Sequence, residues 1–578
     1  MLKKIVKHWK IILAGFCILF ALSTPILWKY RYHIKNLLVV RLGNSIELDE
    51  NSKLLATFSF KDISQSQLVD KSVHYKFKLV ESSGIPITKD EILDFKDPSI
   101  PLIFTLETWG VNGYVSFKQD ELEAFYKGKY DKLIQDFCIS IIGDRPNVYF
   151  RLNREVEVYS LTFPWQGHLI SYQKAFDHLS KLTSSYAPQV KQIFGGAGYS
   201  GVMEYCPDVS QVDIASVVLS PETEQPLKYY PKYNSVNYDL FRRLHRMRFL
   251  DKPIFVFGTS ESDRGSVNQE LLDSIKNKVL LSKETVYSES NFITKKKQKH
   301  EYSRDSFEFG LYDPQNLLNN EKSVTTEHIF IDISQLQNGG FAKDFKNVLE
   351  RNHDVIVTFE PWKDSKGRKN SDVLEAIINN GYDDEIEELY SILSQTSKKV
   401  YLRFAHEMEI PITRYSWQSQ DPITYIKAFR YVMTFKDILP SNIKRVWGPA
   451  GDRGSDEFWP GNDVVDIISF AIYGLPNKNI TDPNKQKSFN QIFKLKKRRM
   501  RHLDKPIFIT EFGVKGPEEY QKNWIDGAAK ILRDDPQIIG ANYFNMSDSP
   551  GAWGDIEAPD WSISKETMDH FINTLNNK

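Results

Sequence analysis

Two stretches of this chain end in a carboxylate just where an apolar run gives way to loop. Residues 400–409 read VYLRFAHEME and residues 505–513 read KPIFITEFG; each opens as a β-branched, apolar run and breaks soon after its glutamate. Glu407 and Glu511 are therefore expected at the C-terminal ends of two strands, about a hundred residues apart. Carboxyl groups so presented suit cleavage of a glycosidic bond. One acid protonates the departing oxygen while a second carboxylate attacks or stabilises the oxocarbenium-like carbon. Either glutamate alone reads as a solvated strand end; the matched context of the two favours chemistry. His406 precedes Glu407, but no second histidine follows at zinc-motif spacing, so neither a metal nor a cofactor is expected.

The two glutamates meet only if their strands open on one mouth. In the second half, strand-like runs start near Phe307, His328, Asp354, Lys399, Lys444, Val464, Lys505 and Ile538 and alternate with helical segments. That is the α/β pattern of a (β/α)8 barrel, whose strand ends share one face. By the two-residue strand period Arg403 shares the face of Ala405 and Glu407. It should point into the barrel and needs a buried acid, for which Glu360 is the expected partner. Trp362, Tyr415, Trp417, Trp447, Trp459 and Tyr543 follow or end strands. Singly each reads as packing; together at one mouth they favour a cleft for a chain of sugars.

The first half repeats the second. PLIFTLETW (101–109) parallels DVIVTFEPW (354–362), NVYFRLNREVEV (147–158) parallels KVYLRFAHEMEI (399–410), and DKPIFVFG (251–258) parallels DKPIFITE (504–511), at an offset of 252 or 253 residues throughout. This domain-sized repeat predicts two tandem barrels, at 45–290 and 303–578, joined by the basic stretch 294–303. The first copy keeps Glu155 opposite Glu407 but carries Arg154 for His406, Ser220 for Tyr473 and Gly258 for Glu511. Glycine offers no carboxylate, and an adjacent arginine should hold Glu155 ionised, so the first barrel is expected to be degenerate and catalytically silent.

The 578 residues accommodate two barrels and an N-terminal extension. With 75 basic and 75 acidic side chains the formal charge is zero, which argues against nucleic acid as a partner. Cys17, Cys138 and Cys206 show no disulfide framework. Residues 1–10, with four lysines, read as a cytoplasmic tail, and the uncharged run 11–28 as a transmembrane anchor. A signal peptide cleaved near Ala21–Ser23 is the rival reading. Both barrels are then expected outside the cytoplasm, anchored by a single pass, or secreted if the segment is cleaved.

The ordered series TFEPW (358–362), NNGYDDEI (379–386), RFAHEM (403–408), RYSW (414–417), WGPAG (447–451), WPGNDVVD (459–466), IYG (472–474), ITEFG (509–513), YFN (543–545) and DWSI (560–563) resembles glycoside hydrolase family 26. The resemblance runs from about Ser303 to the C-terminus. It implies a retaining endo-β-glycosidase acting by double displacement, with Glu407 as general acid/base and Glu511 as nucleophile. It also implies His406 at the reaction centre and Tyr473 hydrogen-bonded to the nucleophile. With Trp362, Glu360, Arg403, Tyr415, Trp417, Trp459 and Tyr543 these form the expected substrate site. Glu409 and Ile410 stand where the family usually has Asn-Gly, Ala471 where many members are acidic, and Tyr543 where Trp is common. The departures point from plain mannan toward an unusual β-glycan such as an exopolysaccharide. Alternatives are a non-catalytic glycan-binding or scaffold protein and a transglycosidase. Expected partners are the polysaccharide, the membrane, and machinery for polysaccharide synthesis or export.

Overall fold

The computed structural model describes residues 45–60, 62–80, 84–109, 121–158, 163–219, 236–258, 302, 306–315, 317–318, 321–362, 372–411, 414–418, 420–474, 486–548, 550 and 557–577. They form two compact units, taken here in turn. The expected tail and anchor at 1–28 lie outside the described residues, as does the linker at 294–303 apart from Tyr302. No helix among the described residues is long and apolar enough to cross a membrane.

Short runs rich in Val, Ile, Leu and Phe make strands that bury both faces, as parallel sheets covered by helices require. In the first unit these are β4 (Val73–Leu79), β5 (Leu102–Thr108), β6 (Val148–Leu152), β7 (Lys191–Phe194), β8 (Ile214–Leu219) and β9 (Ile254–Gly258), joined by the more exposed β1 (Ser45–Leu48), β2 (Lys53–Phe58) and β3 (Gln67–Leu68). Their order is β1-β4-β5-β6-β7-β8-β9-β2-β3. The six strands β4 to β9 are parallel, while β1 on β4, β2 on β9 and β3 on β2 are antiparallel. The expected first (β/α)8 barrel is thus corrected to an open, curled sheet. β1 and β2, separated only by Asp49–Ser52, both run against the six parallel strands, and each caps an opposite end of that set. Their antiparallel pairing takes the place of the remaining parallel strands of a (β/α)8 barrel.

The second unit is a closed barrel of eight parallel strands. They are β10 (Glu308–Tyr312), β11 (Thr326–Ile331), β12 (Asp354–Phe359), β13 (Val400–Phe404), β14 (Ile443–Trp447), β15 (Ile467–Gly474), β16 (Ile507–Val514) and β17 (Ile538–Phe544), with β17 closing on β10. Each begins within three residues of its expected start. Helices at 340–350, 383–393, 422–433, 489–499, 518–534 and 565–576 lie between and after the strands. The helix 489–499 starts on a Ser488 capping box with Gln491 and carries Lys496, Lys497, Arg498 and Arg499 in its last turn. Cations there complement the helix dipole.

Candidate active site

Inward-facing residues follow the two-residue period up the barrel. Ile356, Tyr401, Val446, Ile467 and Phe508 form a buried apolar layer. Two residues further along, the inward positions turn polar: His328, Thr358, Arg403, Ser469, Thr510 and Asn542, all buried. Gly448 completes this layer, because a Cβ there would stand 2.7 Å from the Arg403 Cδ. The arginine, 1% exposed, fills the space the glycine leaves.

Arg403 donates from Nε to Thr358 Oγ1 at 2.8 Å and from Nη1 to Thr510 Oγ1 at 2.9 Å, and its Nη2 forms an ion pair with Glu511 Oε1. Its buried acid is therefore Glu511, not Glu360 as the two-residue period suggested. The reason is a β-bulge. Ser469 to Ala471 on β15 is matched by Phe508 to Glu511 on β16, and Ala541 to Tyr543 on β17 by Ile509 to Phe512. One extra residue on β16 lets the consecutive Thr510 and Glu511 both face inward, as bulges do beside functional sites. Glu511 also accepts the Tyr473 hydroxyl at 2.8 Å.

Glu407 lies beyond the end of β13 on a turn in which Ala405 (φ 44°) and Glu407 (φ 54°) are both left-handed, a conformation costly for residues with a Cβ. Hydrogen bonds impose it. Glu407 N donates to Gly448 O at 2.8 Å, Gln418 Nε2 to Glu407 O at 3.0 Å, and Trp417 Nε1 to His406 O at 2.7 Å. Glu409, buried on the same turn, accepts from the backbone of Ala450, Gly451 and Asp452 at 3.2, 2.8 and 3.0 Å and from Ser455 Oγ at 2.7 Å. It clamps the Glu407 turn to the loop after β14.

Burial and the negative charge of Glu511 push the Glu407 carboxyl up to about 7, against the pull of Arg414 and Lys496. Burial likewise pushes Glu360 up to about 8. His406 is driven well below its ordinary value by burial and by Arg403 and Arg414. Its Nε2 is 3.9 Å from Glu360 Oε1, and near neutral pH this is a contact between two uncharged groups. Glu360 also accepts from Trp362 Nε1 at 3.1 Å.

The predicted aromatics divide. Trp417 stacks on Tyr415 at 4.6 Å between centroids, and Trp362 meets both edge-on. Trp459 packs edge-on against Trp447, and the Tyr543 hydroxyl donates to Trp561 O at 2.7 Å. At 0%, 2% and 1% exposure Trp417, Trp459 and Tyr543 offer no ring face to solvent, while Trp362 and Tyr415 keep a little. The structure therefore brings Glu360, Arg403, His406, Glu407, Tyr415, Trp362, Tyr473 and Glu511 together and leaves Trp459 and Tyr543 in the packing. Arg414 and Lys496 were not singled out from sequence. Lys496 sits in a basic run that reads as a solvated helix end, and Arg414 had only its place in RYSW.

No family model matches the chain. A β-1,3-xylanase of Vibrio is 26% identical over 157 residues, 26% of this chain and 30% of the relative. A β-1,3-xylanase of Alcaligenes is 24% identical over 203 residues, 34% of this chain and 38% of the relative. The structure is similar to an endo-β-1,4-mannanase of Cellulomonas fimi (TM-score 0.35, 14% identity, covering 47% of this chain and 71% of that one). It is also similar to the catalytic domain of a family 26 endo-β-1,4-mannanase of Bacillus (TM-score 0.35, 13% identity, 47% and 86%). Its relatives are glycoside hydrolases. The chain spans about a third of the length of the two xylanases it matches.

The first unit repeats much of this hydrogen-bonded frame. Asn153 (φ 55°) and Glu155 (φ 53°) stand where Ala405 and Glu407 do. Trp165 Nε1 donates to Arg154 O at 2.8 Å, Gln166 Nε2 to Glu155 O at 3.0 Å, and Glu157 accepts from the backbone of Ala197 and Tyr199. Trp109 donates to Glu107 at 2.9 Å and meets Trp165 edge-on. Arg154 pairs with Glu107 at 3.0 Å, and the charges of Glu107 and Glu155 both favour its ionised form. The bulge is missing on this side: β9 runs in unbroken register with β8 from Ala215↔Ile254 to Leu219↔Gly258.

Proposed function

We propose that the second unit is a retaining β-glycosidase acting within a β-linked polysaccharide, with Glu407 as general acid/base and Glu511 as nucleophile. The observation that carries this reading is the division of labour between the two carboxyls. Burial and Glu511 raise Glu407 to about 7, so that it keeps its proton up to near neutral pH, while Glu511 is ion-paired to Arg403 and hydrogen-bonded by Tyr473. In the first step Glu407 gives its proton to the departing glycosidic oxygen as Glu511 attacks the anomeric carbon. Esterification removes the Glu511 charge, and with it one of the three causes that raise Glu407, burial and Glu409 being the others. The acid then becomes the base that takes a proton from the incoming water. Neutral His406 and neutral Glu360 line the same space as uncharged hydrogen-bonding groups for sugar hydroxyls.

The relatives named above act on β-1,3-xylan and β-1,4-mannan, and both belong in the substrate panel beside acidic exopolysaccharides. Retention at the cell surface through the apolar run 11–28 completes the proposal. The test is mass spectrometry of the full chain after treatment with activated 2-fluoro glycosides of several sugars, in wild type and Glu511→Ala. A sugar adduct on Glu511 that disappears in the variant is the expected result. Absence of any adduct, together with inactivity across the panel, overturns the reading.

A further inference from the structure

The first unit has lost its nucleophile but kept the arginine beneath it. Arg151 stands where Arg403 stands, 2% exposed, and its Nε donates to Thr105 Oγ1 at 3.0 Å, as Arg403 does to Thr358. Beyond that the two differ. In the second unit the guanidinium ends on Thr510 and the Glu511 carboxylate. In the first, the residues matching these are Phe257 and Gly258. The guanidinium carbon lies 4.3 Å from the Phe257 ring centroid, and neither terminal nitrogen has a hydrogen-bond partner among the described residues. An aromatic face steadies a cation but leaves its in-plane donors free.

A second cation converges on the same place. Arg154 replaces the neutral His406 and comes near enough to Arg151 to disfavour its charge. The nearby acids are Asp49, Glu107 and Glu155. Asp49 lies 3.3 Å from Lys76, and Glu107 is already bonded by Arg154 and Trp109. Glu155, the counterpart of the general acid, bonds neither arginine. Next to the unchanged Trp109–Trp165 pair, the place that holds the Glu511 carboxylate against Arg403 in the second unit has in the first no carboxyl hydrogen-bonded to Arg151, although Asp49, Glu107 and Glu155 lie near enough to favour its charge.

We infer that the first unit is a binding site for an acidic sugar, in which the carboxylate of a uronic acid residue takes the place of the lost glutamate and is held by Arg151 with Arg154 beside it. Planar, bidentate recognition of carboxylate is what a guanidinium fork offers when its own acid has been removed. A neutral sugar chain leaves the fork unpaired, so the site discriminates by charge. Binding is independent of turnover in the second unit.

The test is isothermal titration of the full chain with oligoglucuronate, oligogalacturonate and oligomannuronate, each beside its carboxyl-reduced, neutral counterpart, and with sulfated neutral oligosaccharides. At least one oligouronate should bind about tenfold or more tighter than its reduced form, the size of one charge-assisted hydrogen bond. Arg151→Met should abolish the difference. Phe257→Glu, which places an internal carboxylate against Arg151, should abolish it as well, and carries the test if Arg151→Met fails to fold. Equal affinity for acidic and reduced chains, tighter binding of sulfated than of uronate chains, or undiminished preference in a folded Phe257→Glu or Arg151→Met variant overturns the proposal.

Discussion

Replacing Glu511 with Gln removes one charge and almost no volume, and its cost depends on the groups either side. Arg403, buried and ion-paired to Glu511, loses its counter-charge, which costs about 3–5 kcal/mol for a buried pair broken on one side. On the other side stand Glu407 and Glu360, both raised in part by the Glu511 charge. At about pH 5.5 these two are protonated and feel no repulsion, so the substitution loses the ion pair and relieves nothing. At about pH 9 both are ionised in the wild type. With an effective dielectric constant of about 20, carboxylates at the about 5.5 Å spacing of a retaining pair repel by about 3 kcal/mol, so the relief offsets most of the loss.

The sign follows from linkage. A carboxyl raised on folding contributes stability fully present below its unfolded value and lost as pH rises through its folded value. For Glu407 that window runs from 4.5 to about 7 and for Glu360 from 4.5 to about 8. The wild type sheds this stability across the window; Glu511→Gln, with both groups less raised, sheds less. Guanidinium unfolding of the full chain in about 0.15 M salt reads the difference, and the first unit, unsubstituted, is the internal control. The expected gap is about 3–5 kcal/mol at the lower pH and about 0–2 kcal/mol at the higher. A gap that does not change with pH refutes the shared field, and no gap at the lower pH refutes the ion pair as a stabilising contact.

The alkaline limb of kcat/KM on an aryl β-glycoside should fall near pH 7, where Glu407 loses its proton. Lys496→Met, by removing a cation that favours the ionised acid, should move that limb upward; a downward move counts against the assignment. Glu409→Ala strips four donors of their buried acceptor and should cost about 2–4 kcal/mol in thermal unfolding and roughly tenfold or more in kcat as the Glu407 turn loosens. An unchanged kcat in a folded variant would remove Glu409 from the positioning of the acid. Gly258→Glu should restore no turnover to a Glu511→Ala chain, because its Cβ would stand 2.7 Å from Leu55 Cδ1 and no bulge turns it inward; recovered activity would contradict this. Trp417→Phe, losing the bond to His406 O, should lower stability by about 1 kcal/mol in calorimetry.

Much of the barrel was legible because parallel strands buried on both faces are near-continuous apolar runs, and eight of them in the second half have no competing reading. Both glutamates were legible as strand ends with matched context. The partner of Arg403 was not, because the face assignment assumes a strict two-residue period and nothing in ITEFG announces the extra residue at Thr510–Glu511. The sheet of the first unit was misread for another reason. The paralleled segments begin at residue 101, so the repeat carried no signal for β1 and β2, which pair antiparallel with β4 and β9. Glu409 looked like a departure from a family pattern, yet Glu157 at the same place in the repeat was the available signal that it serves the fold. Composition said nothing of Lys496, since a basic last helical turn is what any surface helix favours.

The left-handed turn that carries Glu407 recurs at Glu155, where Gly258 stands in place of Glu511. The twist therefore goes with the strand exit and its glutamine, tryptophan and glutamate braces and does not depend on Glu511. After duplication, side chains at such a site drift one at a time, whereas the torsion angles are locked by several bonds at once and drift together or not at all. A vestigial centre is then better searched for by its backbone than by its catalytic residues. By that criterion a fold can show where an ancestor did chemistry long after every group that did it has been replaced.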